Sequence, residues 1–371
     1  MKNGIVVNVK EALISVCNAV EAAEQMANER IDKVYVNVSG DKIKSCIKEG
    51  VITLNKKRPV NESDIEKVIS KGASKINTEG HSLIHCLPTS YHIDSGDEIK
   101  DPTNIYGEHL SVDMLLGFLP EVQYKNLSTV IEGSHLEIAG KAFSAYASGL
   151  ACLVRDEIEL GATVIDIGGG TTAITTFYNG FPRYFSAIGV GGNNISKDIA
   201  FGLTTSFTHA ERLKTLHGCA FLSSQDEGEM INVYPLGEED DSSIRQVTKA
   251  ELNNIISPRV EEIFELVAEK LAAHGLKDAS SHRVVLTGGC SQLAGIRDVA
   301  SVVLDKPVRL ARPKNVMNLP EKLCNPAFST CMGLILFAIN PKEKEPIKLI
   351  NKTSTQTGSL SKILGWIKTN Y

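Results

Sequence analysis

The stretch VIDIGGGTT at residues 164–172 limits the architecture of this chain more than any other segment. Apolar residues flank Asp166, three glycines follow, and two threonines close the run. Gly168, Gly169 and Gly170 have no Cβ, so their N–H groups can approach a polyphosphate closely. Asp166, at the end of a predicted strand, is positioned to hold a metal ion or a metal-bound water. Thr171 and Thr172 add hydroxyl donors. Three glycines also make an ordinary tight turn between buried strands. The acid before them and the threonines after them favour phosphate binding over a plain turn.

A second glycine pair repeats the theme about 120 residues later, in RVVLTGGCSQLAGI at 283–296. This reads as strand, glycine turn at Gly288 and Gly289, then helix. The N-terminus of a helix offers free N–H groups and a positive dipole end. Together the two loops suggest two half-domains gripping one nucleotide from opposite sides.

Composition excludes several classes. The 371 residues allow two or more packed lobes, and 42% hydrophobic content is ample for their cores. A net charge of −5 gives no global basic character, so nucleic acid is not an expected partner. The eight cysteines show no C-x-x-C spacing and read as buried thiols, with neither a zinc site nor a disulfide framework. No apolar run has transmembrane length, and the N-terminus does not read as a signal peptide.

Along the chain, Val9, Leu13, Val16 and Val20 share a helical face. VYVNVSG (34–40) alternates as a strand, and Val51–Leu54 is strand-like. Asn61 or Ser63 caps a helix running through Ile65, Val68 and Ile69. Strand-like LIHCLPTSYHI (83–93) and HLSVDMLLGFL (109–119) follow, and residues 123–156 read as helical. Phe177–Gly180 turns a hairpin. Gly189, Gly191 and Gly192 expose backbone before a helix at 195–202. Glu227 to Asp241 reads as an acidic surface loop, and 249–273 as a long helix.

The two glycine motifs resemble those of the actin-like ATPase superfamily. Further stretches resemble the FtsA family of cell-division proteins: FSAYASGL (143–150), DIAFGLTTSFTHAERLKTLHGCA (198–220) and NPAFSTCMGLILFAI (325–339). The run from Ser39-Gly40 through Pro59-Val60 to Asp64-Ile65 also fits, so the likeness covers nearly the whole chain. It implies an α/β, actin-like two-lobed fold with ribonuclease-H-like subdomains. Residues 1–44 and 123–156 would form the first lobe (1A). An inserted α+β, SHS2-like 1C subdomain would take 45–122. The second lobe (2A) would take 157–192 and 278–340, with 2B at 193–277. The family's usual opening strands, with an Asp-x-Gly-Thr phosphate loop, have no match here, so the first lobe is expected to be N-terminally truncated and hydrolysis to suffer more than binding.

The resemblance also implies ATP with Mg2+ as cofactors. Asp166 would lie near the metal, and Gly168, Gly169, Gly170, Thr171 and Thr172 would hold the phosphates. Glu211 and Lys214 would contact the ribose side, and Gly288 and Gly289 the adenosine side. Spacing alone makes Glu211 and Lys214 an ordinary intrahelical pair worth about 0.2–0.5 kcal/mol. The implied partners are the C-terminal peptide of the tubulin-like FtsZ through 2B, later division proteins through 1C, and further copies of the chain in filaments.

The tail changes character. Residues 341–358 read as a flexible linker rich in Pro, Lys and Ser/Thr. In 359–371, Leu360, Ile363, Leu364, Ile367 and Tyr371 recur at helical spacing, Trp366 flanks them, and Lys362 and Lys368 sit beside them. From 341 onward six Lys and two Glu give +4, against −5 for the whole chain. A basic amphipathic helix of this kind suits the plane of an anionic bilayer. Each large apolar side chain contributes about 1.5–3 kcal/mol when fully buried. After the cost of ordering the segment, one copy binds weakly, and a polymer multiplies the attachment. Taken with this tail, the family resemblance implies an adaptor with at most weak ATPase activity, on the cytoplasmic face of the inner membrane at the division septum. A PilM-like pilus-assembly adaptor and a sugar or acid kinase of the same superfamily are the alternatives.

Overall fold

The computed structural model describes residues 1–74, 76, 78–221, 227–237, 244–276 and 283–339. The tail helix expected at 359–371, with Leu360, Lys362, Ile363, Leu364, Trp366, Ile367 and Lys368, and the linker before it lie outside the described residues.

Helix α1 (Val9–Ala27) starts at Asn8, whose side chain accepts a bond from Glu11 N, and stops at Asn28 in the left-handed region. Strand β1 (Lys33–Val38) follows. The chain then leaves for an α+β unit. This holds β2 (Lys44–Thr53), α2 (Glu62–Ala73), β3 (His81–Ile93) and β4 (His109–Pro120), with antiparallel order β2-β4-β3. Asn61 and Asp64 form a reciprocal capping box that starts α2. The helix buries Ile65 and Val68 against Leu110, Val112, Met114 and Leu116 of β4. Gly50 and Gly72 let α2 lie directly on β2: a Cβ on Gly50 would come within 2.4 Å of Val68 O.

The chain returns through α3 (Glu121–Gly133), β5 (Glu137–Phe143), α4 (Ser144–Cys152) and α5 (Arg155–Leu160). Strand β5 is a departure from the helical reading of 123–156. It pairs in parallel with β1 from Lys33↔Glu137 to Val38↔Phe143, a partner supplied by chain some 100 residues earlier. Val36, Ile131 and Leu136 make a small core there, with Val16 and Val20 of α1 packed against it.

A five-stranded sheet forms the larger lobe. Strands β6 (Ala162–Ile167), β7 (Thr172–Tyr178) and β8 (Phe181–Ile188) are consecutive. The β7–β8 hairpin turns on Asn179 and Gly180, both at positive φ (53° and 89°). Then come α6 (Gly192–Gly202), α7 (Phe207–His217), β9 (Met230–Val233), β10 (Arg245–Thr248) and α8 (Lys249–Ala272). Part of the expected acidic loop is thus a strand: β9 pairs antiparallel with β10 and buries Ile231 and Val233. Finally β11 (Arg283–Thr287), α9 (Ile296–Leu304), β12 (Val308–Leu310) and α10 (Ser329–Ile339) complete the lobe. The sheet order is β12-β11-β6-β7-β8.

All six residues of β6 are buried, as expected for a strand covered on both faces. One face packs on α6, α7, α8 and α9 through Ile165, Ile167, Ile199, Phe264 and Val267. The other packs on α4 and α10 through Val164, Ala173, Phe177, Tyr146 and Phe337. Small residues let α4 and α10 cross tightly, and a Cβ on Gly333 would sit 1.8 Å from Ala147 O.

Two further expectations need correction. The glycine turns do not face each other from separate half-domains: β11 runs parallel to β6 in one sheet, with Thr287 paired to Asp166. Nor are the thiols uniformly buried. Cys86, Cys152 and Cys219 are, but Cys46 and Cys331 are exposed, on the outer faces of a strand and a helix.

Candidate functional site

Three glycine-bearing loops leave the same end of the five-stranded sheet. The loop after β6 folds on itself through Gly168 N to Thr171 O, 2.9 Å. It then holds the start of α6: Gly192 N donates to Gly168 O (2.9 Å) and Asn193 N to Gly169 O (2.7 Å). These bonds consume the first free donors of α6. The N–H groups of Gly169 and Gly170 have no acceptor among the described residues. Close approach requires glycine at Gly191, where a Cβ would stand 2.6 Å from Gly168 O.

The two threonines differ in role. Thr172 is fully buried and donates to Val190 O at 2.9 Å, fastening the β6 loop to the β8 loop. The Thr171 hydroxyl lies 2.8 Å from that of Ser39, at the end of β1. This pair links the five-stranded lobe to the two-stranded unit. The Lys2–Ile5 turn closes the same corner: a Cβ on Gly170 would lie 3.4 Å from Asn3 N, and one on Gly189 would lie 3.1 Å from Asn3 Nδ2.

Asp166 sits deeper than the glycines, at 6% exposure. Its Oδ2 accepts from Ser148 on α4 (2.6 Å) and from Thr330 on α10 (2.7 Å). Burial pushes the carboxyl above the usual range, although both hydroxyls pull the other way. Its other oxygen, Oδ1, faces Gly288, where a Cβ would come within 2.4 Å.

Glu211 and Lys214 form an ion pair of 2.7 Å on α7. Lys214 Nζ also reaches across to α6, at 3.0 Å from Gly192 O and 2.8 Å from Ser196 Oγ. Ser196 donates to Glu211 Oε2. Burial would raise the Glu211 carboxyl, but bonds from Lys214 and Ser196 hold it below the usual range. Gly192 ties this cluster to the β11 loop, since a Cβ there would touch Cys290 Cβ and Sγ at 3.2 Å. Burial pushes the Cys290 thiol up to about 11. The 3₁₀ turn at Gly289–Gln292 is braced by Asn325 Nδ2 donating to Gln292 Oε1 at 2.8 Å.

The structure thus gathers Asp166, Gly168, Gly169, Gly170, Thr171, Thr172, Gly288 and Gly289 at one sheet end. It joins Glu211 and Lys214 to them through Gly192. Sequence reasoning missed Ser39, Ser148, Ser196, Cys290 and Thr330. Ser39, Ser148 and Thr330 reach the site from elements distant in the chain, whereas Cys290 directly follows Gly289 and Ser196 lies one turn after Gly192. A separate polar cavity of about 570 Å3 opens on the three-stranded sheet, lined by Glu49, His92, Asp94, His109 and Asp113 among others. Among the described residues no cluster of three metal-ligating side chains occurs, and no helix is long and apolar enough to cross a membrane.

Comparison with known proteins fits this geometry. The family model "Cell division protein FtsA" matches residues 163–333, and "SHS2 domain inserted in FTSA" matches 40–116. The cell division protein FtsA of Agrobacterium fabrum is 39% identical over 338 residues, covering 91% of this chain and 76% of that protein. That of Escherichia coli K12 is 30% identical over 380 residues, covering 100% and 89%. Among solved structures, the PilM–PilN type IV pilus biogenesis complex aligns at 15% identity and TM-score 0.59, over 91% of this chain and 88% of that one. MreB5 of Spiroplasma citri bound to ADP aligns at 13% and 0.54, over 96% and 80%. These likenesses give an actin-like ATPase fold, with the three-stranded unit as its SHS2 insertion. Identity across nearly the full chain, the matched insertion and the loop geometry together place this chain in the cell division protein FtsA family.

Proposed function

We propose that the chain binds ATP with Mg2+ against the loops at 168–171, 189–192 and 288–292, and that it works as a nucleotide-regulated adaptor with at most weak ATPase activity. The observation that carries this reading is the pair of unclaimed N–H groups on Gly169 and Gly170, in a loop whose Gly168, Gly169 and Thr171 carbonyls already accept bonds. Such donors suit phosphate oxygens. Mg2+ is usually held by one or two carboxylates together with substrate phosphates. A single acid, Asp166, therefore fits the ion without a three-ligand cluster. Gly168, Thr171 and Thr172 would shape the phosphate wall, and Gly288 and Gly289 would leave room for the nucleoside.

In this reading 1–44 and 123–156 act as the first lobe, 45–122 as 1C, 157–192 and 278–340 as 2A, and 193–277 as 2B. The 2B region takes the C-terminal peptide of FtsZ, 1C takes later division proteins, and copies of the chain self-associate. The basic segment 359–371 lies in the inner membrane from its cytoplasmic face and tethers the FtsZ ring at the septum. Removing 359–371 tests the adaptor reading. The full chain is expected to sediment with anionic vesicles and, separately, to bind a fluorescent ATP analogue with Mg2+. The shortened chain should keep nucleotide and lose vesicles. A full chain that neither sediments nor binds the analogue refutes the reading.

A further inference from the structure

Helix α1 overhangs the sheet that supports it. It packs beside α3, where a Cβ on Gly133 would lie 2.7 Å from Leu13 Cδ1, and α3 lies on β5. Two helices side by side span roughly 20 Å, whereas two strands offer about 10 Å. Val16 and Val20 reach the core around Val36, yet no residue of α1 is buried. The outer edge of β1 is bare as well. Glu137 N donates to Asp32 O, so strand alternation aims the backbone of Lys33, Tyr35 and Asn37 away from β5. Their N–H groups have no acceptor among the described residues. The strand reads KVYVNV, with no proline to discourage a further neighbour.

Helix α10 delivers the chain to that edge. Its last turn lies on β1, where Phe337 meets Tyr35 edge to face at 6.2 Å, and the helix ends at Ile339. In 341–358 the large apolar residues are Ile347, Leu349 and Ile350, gathered in PIKLI at 346–350. Residues 340–345 can span about 20 Å. That suffices to pass from α10 to a strand position about 5 Å outside β1. We infer that residues 346–350, which lie outside the described residues, add as a third strand to the free edge of β1 and complete the floor beneath α1. A two-stranded sheet is marginal, and a third strand gives it both ladder bonds and area. The span before segment 359–371 then shrinks to 351–358, so that segment leaves from the β1 edge. Neither nucleotide nor membrane binding enters this inference.

The test is residue-resolved amide hydrogen exchange by NMR, at two protein concentrations. The samples are the full chain, 1–353, 1–340 and the full-length double variant Lys348→Pro, Leu349→Pro. Successive strand residues point their N–H groups to opposite edges, so one of the two prolines must face β1. In the full chain and in 1–353 the Tyr35 and Asn37 amides should exchange at least about tenfold more slowly than in 1–340 or the double variant. The Val34 and Val36 amides face β5 and should change by about twofold or less. Melting curves establish which forms are folded; should 1–340 fail to fold, the double variant against the full chain decides. Equal exchange at Tyr35 and Asn37 in every form overturns the inference, as does an equal change at Val34 and Val36. Slowing that survives the two prolines, or that vanishes on removing only 354–371, overturns it too. So does slowing that grows with protein concentration, which would put a second copy on the edge.

Discussion

Replacing Gly288 by alanine should unfold the protein far more readily than the same change one residue later. Gly288 has φ 87° and ψ 163°, a backbone region open essentially to glycine alone, where a side chain costs about 1–3 kcal/mol. A Cβ there would also stand 2.4 Å from Asp166 Oδ1 and 2.6 Å from Ile167 O. Neither neighbour can yield easily, since one is a buried carboxylate and the other belongs to the central strand. Forcing atoms into a packed interior costs about 1–3 kcal/mol more. The sum is roughly 2–6 kcal/mol, combining those two ranges. At Gly289 the nearest atom to an added Cβ is Ala327 Cβ at 3.8 Å, ordinary contact, and φ is not positive. Gly289→Ala should therefore cost about 1 kcal/mol or less. Urea unfolding followed by far-ultraviolet circular dichroism is the assay. With a slope near 3 kcal/mol per molar urea, Gly288→Ala should lower the midpoint by about 0.7–2 M and Gly289→Ala by about 0.3 M or less. Equal shifts for the two variants would refute the steric argument.

Asp166→Asn should leave the melting temperature at pH 7 equal to or above that of the parent, while weakening the Mg2+ dependence of nucleotide binding. Burial raises the folded-state value of this carboxyl above its unfolded value of about 3.9. The folded protein keeps a proton that the unfolded chain has released, so stability falls as pH rises through that window. An amide removes this loss; a clear drop in melting temperature at pH 7 would count against the account. Asp64 works in the opposite sense. The Arg58 guanidinium, at 2.6 Å, holds its carboxyl below the usual range. Its contribution is fully present above an unfolded value of about 3.9 and is lost as pH falls through the lower folded value. Asp64→Asn should lower the urea midpoint at pH 7, and the gap from the parent should narrow progressively as pH falls below the unfolded value of about 3.9 toward the lower folded value. A gap that does not narrow as pH falls would mean that the α2 cap, rather than the charge, carries the effect.

Much of the fold was readable because local chemistry and long-range structure agree. Asn61 three residues before Asp64 marks the start of α2, and Asn179-Gly180 marks the β7–β8 hairpin. VIDI before three glycines reads as a buried strand entering a loop, and β6 is that strand. The misreadings share one cause. Strand β5 exists because β1, about 100 residues earlier, lies alongside it, and β9 because β10, the next strand in the chain, does. The glycine turns were legible as turns, yet their shared sheet depends on β11 pairing with β6. The candidate site divides the same way. Its glycines announce themselves, whereas Ser148 and Thr330 reach Asp166 from 18 and 164 residues away. Ser39 reaches Thr171 from 132 residues away. Serine and threonine are common on helices and at strand ends, so composition cannot select the few that matter.

The contact between Gly333 and the Ala147 carbonyl leaves no space for a side chain between α4 and α10. The two helices also meet through Tyr146 and Phe337 and through the Ser148–Thr330 hydroxyl pair, so they pack along a seam with that contact at its tightest place. Neighbouring residues of the same two helices, Ser148 and Thr330, hold the acid behind the glycine loop that follows β6. Any change in the angle between these two helices must therefore stretch or shorten the tethers on Asp166.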